Sequence, residues 1–318
     1  MCYSAQIEAD YRKYVKRYGA DIDIGQFVRL YWDRSQGAKV KIPKALDAAF
    51  AQPDIPDGQR IRTMIEHHDA EQAAKLQTEL FKQKKRLADA ERALLTRTTK
   101  KAQEDRRIAT GKIAWTLGKL SDLKRTERVD EDSRIFPGWY APVMVMEGGR
   151  RVVKPMRYQC RPAGKPASND VKFPGTYNAR RDNLEGFWKG QFGFSHGVMV
   201  ASAFYENVAR HTMEHRDLAP GEKEENVILE FRPQPHQEML VACLWSHWTG
   251  PGEDLLSFAA ITDEPPPEVA AAGHDRCIIP IKAGNLDAWL RPDPRNLAAL
   301  YAILDDRERP YYEHRMAA

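Results

Sequence analysis

The sequence predicts an α+β fold in which a helical N-terminal part is followed by a strand-rich C-terminal part. Residues 59–107 contain neither proline nor glycine and are rich in charged side chains, as is typical of a long exposed helix. After Asp132 the composition changes to prolines, β-branched residues and short apolar runs. A run of helices followed by a run of strands indicates an α+β architecture.

Capping residues predict three short helices before the long one. Ser4 is placed to cap a first helix that runs toward Gly19, with apolar residues at helical spacing between them. Asp23 and Gln26 resemble a capping box that opens a second helix. Pro43 fits the first turn of a helix and therefore predicts the start of a third.

The long charged segment predicts a helical hairpin. Leu80, Leu87 and Leu94 recur every seven residues, but the companion positions are half polar, which disfavours a coiled coil. We expect a long helix over 59–107 whose return arm, around residues 113–120, packs back against it. A basic run in this segment is interpreted as a solvated helix face, with contact to a nucleic-acid backbone as the alternative. It consists of Lys82, Lys84, Lys85 and Arg86.

Alternating and β-branched segments predict the strands of the C-terminal part. The Gly148-Gly149 pair between two apolar runs is typical of a β-hairpin turn. The predicted strands cover residues 143–146, 151–153, 227–231, 238–244 and 255–262, and a short helix covers 286–290. Strands at this spacing predict mixed or antiparallel sheets in an open, barrel-like arrangement.

Composition limits the classes of function. The net charge of +4 over 318 residues is mild, so a polyanionic partner would need a local basic patch. No apolar run approaches the roughly 18 residues of a membrane helix, and the first residues carry acids rather than an apolar signal segment. We therefore expect a cytoplasmic protein without a membrane partner, and a monomer as the default state.

The cysteines and histidines do not form a recognisable metal-binding pattern. The pairs His67-His68 and His211-His215 have no neighbouring cluster of Cys or Asp, so ordinary solvated histidines are the favoured interpretation. Scattered cysteines disfavour both a disulfide framework and a zinc site. They are Cys2, Cys160, Cys243 and Cys277. We expect neither a metal nor a cofactor.

Cys2 directly follows the initiator methionine. If Met1 is removed, Cys2 carries both a free α-amine and a thiol. Such a 1,2-aminothiol condenses with an aldehyde to a five-membered thiazolidine. The reference pKa values, roughly 7.7–8.0 for the amine and about 8.5 for the thiol, leave reactive fractions of both groups near neutral pH. On position alone, an unreactive cysteine at a frayed terminus is the simpler interpretation.

Several short segments follow Cys2 in an order that changes this interpretation. They read FPGWYAPV (136–143), KPMRY (154–158), YNAR (177–180), AFYE (203–206), LWSHW (244–248), SFAAIT (257–262), HDR (274–276) and WLRP (289–292). Each segment is weak alone, but their shared order behind Cys2 resembles the SOS response-associated peptidase (SRAP) family. Members of that family shield abasic sites in single-stranded DNA.

The resemblance implies four catalytic residues. In the family, the terminal cysteine, here Cys2, forms a thiazolidine with the ring-opened sugar of the abasic site, and an asparagine matched by Asn178 holds both. Glu206 matches a glutamate that shuttles protons as the imine forms, and its apolar, aromatic surroundings would raise its pKa. His274 matches a histidine that works on the Schiff base and the sugar ring, since imidazole both takes and gives a proton near pH 7.

The resemblance also implies a DNA-binding surface. Arg157 and Arg180 match positions expected to clamp phosphates. Tyr158 stands where the family has tryptophan and is expected to stack on a base. The family's opening Gly-Arg is Tyr3-Ser4 here, so one phosphate contact is missing or supplied elsewhere. The expected partner is single-stranded DNA containing abasic sites, which would associate the protein with the nucleoid.

These observations divide the chain into three predicted parts. Residues 1–20 form a catalytic N-terminal segment joined to the core, residues 21–132 a helical, charged insertion, and residues 133–318 the strand-rich core. The insertion is longer than usual for the family that the chain resembles, and the sequence does not decide whether it extends the DNA groove, recruits a partner or decorates the fold.

The predicted function is a covalent crosslink between Cys2 and an abasic site in single-stranded DNA, with lyase activity and self-removal of Met1 as further activities. Two alternatives remain open. One is a thiol peptidase or amidase that uses Cys2 as nucleophile and His274 as base. The other is a binder of single strands that is indifferent to the lesion, because contacts to phosphates carry no information about it.

Overall fold

The computed structural model describes residues 3–52, 55, 57–251 and 253–317 of the chain. Its helices are α1 (Tyr11–Tyr18), α2 (Ile24–Ser35), α3 (Lys44–Ala49), α4 (Gly58–Thr96), α5 (Lys100–Lys124), α6 (Asn169–Lys172), α7 (Arg210–Met213), α8 (Pro267–Ala271), α9 (Leu286–Leu290) and α10 (Leu297–Asp305). Its strands are β1 (Ser4–Ile7), β2 (Asp21–Ile22), β3 (Arg134–Ile135), β4 (Tyr140–Glu147), β5 (Arg150–Tyr158), β6 (Asn178–Arg180), β7 (His196–Ala209), β8 (Asn226–Gln234), β9 (Met239–Gly250), β10 (Glu253–Asp263), β11 (Cys277–Ile278), β12 (Pro280–Ile281) and β13 (Tyr311–Met316).

Five strands close into a barrel at the centre of the fold. β4 pairs with β5 and β7, β9 pairs with β7 and β10, and the pairing of β5 with β10 completes the circle. The β5–β10 pairing is parallel and the other four are antiparallel. The α+β class with a mixed, barrel-like sheet, which the sequence predicted, is therefore confirmed.

A continuous apolar core connects the barrel with the helices around it. Helix α9 packs against β7, where the fully buried Trp289 donates its indole N–H to the carbonyl of Gly197 over 3.0 Å. Gly197 is needed at this point because a Cβ atom there would lie 2.9 Å from Cγ1 of Val143. The predicted helix over 286–290 is thus both present and part of the core.

Strand β7 continues out of the barrel. Its first half pairs with β9, whereas its second half lies between β1 on one side and β8 on the other. With 14 residues, the strand spans about 46 Å at roughly 3.3 Å per residue, long enough to belong to both layers. Strand β13 covers the outer edge of β8, so the extension is itself a small antiparallel sheet.

The prediction that Ser4 caps the first helix is wrong. Ser4 opens strand β1, and helix α1 begins at Tyr11, where Asp10 accepts a hydrogen bond from the backbone N–H of Arg12. All four residues of β1 are buried. Burial of a strand between β3 and β7 therefore outweighs the local preference of serine for a helix cap.

Helices α2 and α3 pack onto the barrel. Asp23 caps α2 through the N–H of Gln26, as predicted. Three aromatic rings surround Phe50, with centroid distances of 5.1, 5.6 and 5.7 Å. They belong to Tyr11, Tyr31 and Phe27. Because β2 also pairs with β5, the first part of the segment 21–132 shares the core, and the division of the chain at residues 20 and 132 stays a prediction.

Helices α4 and α5 form the predicted hairpin, with the turn at residues 97–99 rather than beyond residue 107. Trp115 and Leu117, expected to pack back against the first helix, are 59% and 47% exposed, so that part of the prediction is wrong. The buried seam is formed instead by Gln83, Ala90, Ala102, Ala109 and Thr116. No helix in the described part of the chain combines the length and apolar character that crossing a membrane requires.

The substitution Phe204→Ala should destabilise the protein by about 3–5 kcal/mol, because it removes a fully buried ring. That ring stacks on Phe231 at a centroid distance of 5.0 Å and meets Tyr312 edge-on. Denaturant unfolding measures the change. The matched control Phe194→Ala removes a ring that is 61% exposed and should stay within about 0.5 kcal/mol of the wild type. Equal losses in both variants would contradict this account of the core.

Candidate active site

Glu206 lies on the part of β7 that leaves the barrel. The register pairs Ser4 of β1 with Tyr205, and Glu206 itself with Leu229 of β8. Its side chain has no exposed surface. The backbone N–H of Tyr3, the residue before β1, donates a hydrogen bond to the Glu206 carboxyl group. The start of the described chain is therefore held against this buried carboxyl.

His274 meets Glu206 from the loop between α8 and β11. Its Nε2 lies 3.1 Å from Oε2 of Glu206, and its Nδ1 lies 2.9 Å from the carbonyl oxygen of Arg276. Gly273 makes this approach possible: its φ of +94° suits glycine, and a Cβ atom would lie 2.9 Å from Thr212. The sequence HDR thus places its histidine in the site through a local turn.

Burial decides the protonation of this pair. Desolvation raises the pKa of Glu206 to about 8 and lowers the pKa of His274 below its usual value. Both shifts favour neutral side chains at pH 7. Nδ1 of His274 faces both the carbonyl oxygen of Arg276 at 2.9 Å and the backbone nitrogen of Arg276 at 3.3 Å, and the shorter contact favours a proton on Nδ1. In this tautomer Nε2 accepts a hydrogen bond from the carboxylic acid of Glu206. The pair therefore holds one transferable proton in a buried position.

Asn178 opens the short strand β6, which pairs in parallel with the end of β10. The hydroxyl of Tyr158 donates a long hydrogen bond of 3.5 Å to Oδ1 of Asn178. The amide Nδ2 is buried and has no hydrogen-bond partner among the described residues. A buried amide donor in this state is available to a group that enters the site.

The end of strand β10 lies between the strand that contains Asn178 and the strand that follows His274. At its C-terminal end, Thr262 pairs with Arg180 of β6 on one side and with Ile278 of β11 on the other. The segments 178–180 and 274–276 therefore flank the same strand end. Asp182 gives an independent indication, since its pKa is lowered chiefly by a hydrogen bond from Arg180 and also by the charge of Arg276. The structure thus brings Glu206 and His274 into contact and places Asn178 on the strand that borders the same end of β10.

Cys2, the fourth predicted catalytic residue, lies outside the described residues, as does Met1. The cysteines that the structure does describe are all buried. Burial raises the pKa of Cys160 and Cys243 to about 12, and that of Cys277 still further. None of these three thiols has the exposed, low-pKa character of a reactive cysteine.

The predicted stacking role of Tyr158 is corrected by the structure. Its side chain is fully buried, stacked on Phe258 at a centroid distance of 5.2 Å and covered edge-on by Tyr177. A DNA base has no access to a ring in this position. Because its hydroxyl contacts Asn178, Tyr158 instead helps to orient the amide of the site.

The two predicted phosphate-binding arginines differ in exposure. Arg180 has a side chain that is 49% exposed and pairs with Asp182, whose side chain is 61% exposed. Arg157 is 15% exposed and forms an ion pair of 2.8 Å with Asp170. Its guanidinium also donates to the carbonyl of Gln159. Arg180 is therefore presented at the surface near Asn178, whereas Arg157 is engaged in holding the loop that follows β5.

Arg134 is a residue of this region that sequence reasoning missed. Its Nε donates to Oγ of Ser4 over 3.0 Å, and its guanidinium lies 3.8 Å from the ring centroid of Tyr205. It therefore fixes β1 against β7 directly beside Glu206. The family that the chain resembles has an arginine where Ser4 stands. The absence of that arginine is a sequence signal that another cation, here Arg134, takes a place beside Ser4. Among the described residues, no group of three His, Cys, Asp or Glu side chains could hold a metal ion.

Comparison with known families gives one match. The model of the family described as SOS response associated peptidase (SRAP) matches residues 91–316. This range includes Asn178, Glu206 and His274 and begins within helix α4. A comparison with curated proteins gives no significant match.

Several solved structures are similar in fold. A protein from Bordetella bronchiseptica has a TM-score of 0.46 and 16% identity, over 58% of this chain and 87% of that one. A protein from Bacteroides thetaiotaomicron has a TM-score of 0.45 and 11% identity, over 58% and 78% of the two chains. A phage-related protein from Bordetella bronchiseptica has a TM-score of 0.41 and 18% identity, over 61% and 85%.

Replacing Glu206 by glutamine should flatten the pH dependence of stability between pH 4.5 and 8. The carboxyl titrates near 4.5 when unperturbed and near 8 in the folded protein, so the folded state binds an extra proton within this window. The stabilisation is complete below pH 4.5 and is lost as the pH rises to about 8. Each unit of pKa difference is worth about 1.4 kcal/mol. Urea unfolding at a series of pH values measures how the free energy of unfolding changes with pH.

The matched control is Glu222→Gln. Glu222 is exposed, and hydrogen bonds from Arg216 lower its pKa to about 2, so it is ionised across the whole window. This variant should keep the pH slope of the wild type. The comparison is cleanest above pH 6.5, where His274 is neutral in the folded chain. If Glu206→Gln also kept the wild-type slope there, Glu206 would be ionised in the fold, contrary to the neutral pair described above.

Proposed function

Because the chain belongs to the SRAP family, whose function is related to DNA damage, we propose that it traps abasic sites in single-stranded DNA as a covalent adduct of Cys2. Removal of Met1 is a requirement, since only then does Cys2 carry a free α-amine beside its thiol. The observation that carries the proposal is the buried Glu206–His274 pair. Its carboxyl group accepts a hydrogen bond from Tyr3, the residue that follows the predicted nucleophile Cys2.

The position of Tyr3 links the nucleophile to the acid. Cys2 is joined by a peptide bond to Tyr3, and the N–H of that bond donates to Glu206. A carboxylic acid with a pKa of about 8 remains protonated at neutral pH and can still give up its proton to a developing hydroxide. This supports Glu206 as the acid for a reaction at the terminal amine.

The proposed reaction has two stages. The Cys2 amine adds to the aldehyde carbon of the ring-opened sugar, and the resulting carbinolamine loses its hydroxyl as water after protonation by Glu206. The Glu206 carboxylate then recovers a proton from the nitrogen, which leaves an imine. The thiol adds its sulfur to the same carbon and its proton passes to the nitrogen, so that a thiazolidine forms with the release of one water overall.

His274 and Asn178 support these steps. His274 accepts a hydrogen bond from the Glu206 carboxylic acid at Nε2, which orients the acid before it protonates the carbinolamine. Asn178 offers its buried Nδ2 to an oxygen of the sugar or to the carbinolamine hydroxyl. Arg180, which is exposed two residues further along, is suited to bind the phosphate next to the lesion.

The experiment uses an oligonucleotide with one abasic site. Wild-type protein should give an adduct that survives denaturing gels, with a mass equal to protein without Met1 plus oligonucleotide minus one water. Cys2→Ala should give no thiazolidine. Cys2→Ser keeps the α-amine but not the thiol, so its product should be an imine that is detected only after borohydride reduction. Cys160→Ser is the control for a fully buried thiol and should crosslink like the wild type.

The alternatives give different results in the same experiment. A lesion-independent binder would yield no denaturation-resistant product with any variant. A thiol peptidase that only removes its own Met1 would show a Cys2-dependent loss of Met1 but no adduct. Without borohydride, an adduct of equal yield with wild type and Cys2→Ala would show that another residue reacts and would refute the proposal.

The substitution Asn178→Asp should slow adduct formation by about 100-fold in single-turnover reactions, because it removes a buried hydrogen-bond donor while keeping the size of the side chain. The folded structure should persist, since the contact of Tyr158 with Oδ1 is retained. Asn226→Asp, an exposed position at the start of β8, is the control and should react at the wild-type rate. An unchanged rate in Asn178→Asp would exclude the amide from the reaction.

A further inference from the structure

The outer part of the α4–α5 hairpin is strongly basic. Residues 82–112 carry eleven Lys and Arg side chains against four Asp and Glu, whereas the whole chain has a net charge of only +4. The inner part of α4 packs against α2, and Ile61 and Ile65 join the core. From residue 77 onward, α4 continues for about 30 Å at 1.5 Å per residue. Residues 77–112 are called the arm below.

Most cations of the arm are not neutralised within it. Arg86, Arg92, Arg107 and Lys112 each form an ion pair with a neighbouring acid. The other seven have no ion-pair partner within the described ranges of the chain. They are Lys82, Lys84, Lys85, Arg97, Lys100, Lys101 and Arg106. Since the acids of the hairpin are largely used in pairs, an uncompensated positive surface remains.

Three of these seven cations line a groove between the two helices. Lys82 and Lys85 line it from α4 and Lys101 from α5, and the groove has a volume of about 490 Å³. Its floor is formed by small side chains, among them Ala90 and Ala102, which are buried in the seam. Small residues bring the helix axes close together, and both helices contribute lysines to the groove beside this seam.

We propose that the arm binds the phosphate backbone of single-stranded DNA in this groove. Binding at the arm requires neither Cys2 nor an abasic site, so it goes beyond the crosslinking reaction proposed above. Lysines act as point charges for phosphates without reading a sequence, as suits a contact with undamaged DNA on either side of a lesion. Phe81 is 72% exposed one turn before Lys85, which places an aromatic ring on which a base can stack.

The shape and composition of the groove favour a single strand over other polyanions. A flexible single strand can follow a groove between two helices, whereas a stiff duplex would touch only its rims. An interface with a protein partner would be depleted in lysine and enriched in aromatic residues at its centre. The groove has no aromatic residue in its lining, which holds four cations and two acids around three alanines and a threonine. The cations are Lys82, Lys85, Arg86 and Lys101, and the acids are Asp89 and Asp105.

The test compares the full chain with the triple variant Lys82→Glu, Lys85→Glu and Lys101→Glu by fluorescence anisotropy on an undamaged oligonucleotide. The variant should bind the single strand at least tenfold more weakly at 50 mM salt. The slope of log K against log salt should become less steep by about 2, because three phosphate contacts are lost at about 0.7 each. Phe81→Ala should weaken binding of the single strand about tenfold and leave duplex binding unchanged.

The control variant makes the same change of charge outside the arm, with Lys16→Glu, Lys39→Glu and Lys223→Glu at exposed positions. It should bind undamaged single strands within about twofold of the wild type. Circular dichroism and thermal unfolding verify that both triple variants are folded. If the arm variant and the control variant lose affinity equally, only net charge matters and the proposal is wrong.

Two further outcomes separate this proposal from others. If the arm variant loses affinity for a duplex of the same sequence but not for the single strand, the arm binds duplex DNA and the proposal of a single-stranded partner is wrong. At saturating concentrations of an abasic oligonucleotide, the arm variant should crosslink at the wild-type rate and differ only in the concentration needed for saturation. Because the binding test uses undamaged strands, it remains decisive even if no crosslink forms at all.

Discussion

The pairing of β1 with the outer half of β7 is the constraint on which the site depends. It sets Ala5 opposite Phe204 and Ser4 opposite Tyr205, and a slip of one residue would turn every side chain of β1 to the opposite face. Because all four residues of β1 are buried, such a slip is strongly disfavoured. The backbone N–H of Tyr3 therefore reaches Glu206 through a fixed strand rather than through a flexible terminus.

The same burial that fixes the strand also selects the chemistry. An ionised carboxylate in a site without solvent costs several kcal/mol, so Glu206 is retained in the fold most easily as a neutral acid. With its proton on Nδ1 facing the Arg276 carbonyl, neutral His274 can accept a hydrogen bond from the Glu206 acid at Nε2 while the acid keeps its proton. The protonation state that stabilises the fold is therefore also the one that an acid-assisted condensation needs.

Features that depend on neighbouring residues could be predicted from the sequence. The Asp23 cap, the Gly148-Gly149 hairpin and the helix over 286–290 all match the structure, because each is decided within a few residues. Ser4 and Tyr158 were assigned wrong roles because partners far along the chain decide them: β7 draws Ser4 into a strand, and Phe258 covers Tyr158. The contact between Glu206 and His274 likewise joins two distant segments, and neither segment alone reveals it.

Overall charge is a poor guide to where this chain can hold a polyanion. Exposed charges act over about 8–10 Å at physiological salt, so a phosphate at the arm does not experience the acids elsewhere that reduce the total to +4. The hairpin is stabilised by its own seam of small residues, which leaves its outer surface free to carry uncompensated lysines without burying any of them. The neutral Glu206–His274 pair, in contrast, contributes no attraction for phosphates. The proposed binding of undamaged strands at the arm and the proposed reaction with an aldehyde therefore depend on different parts of the chain.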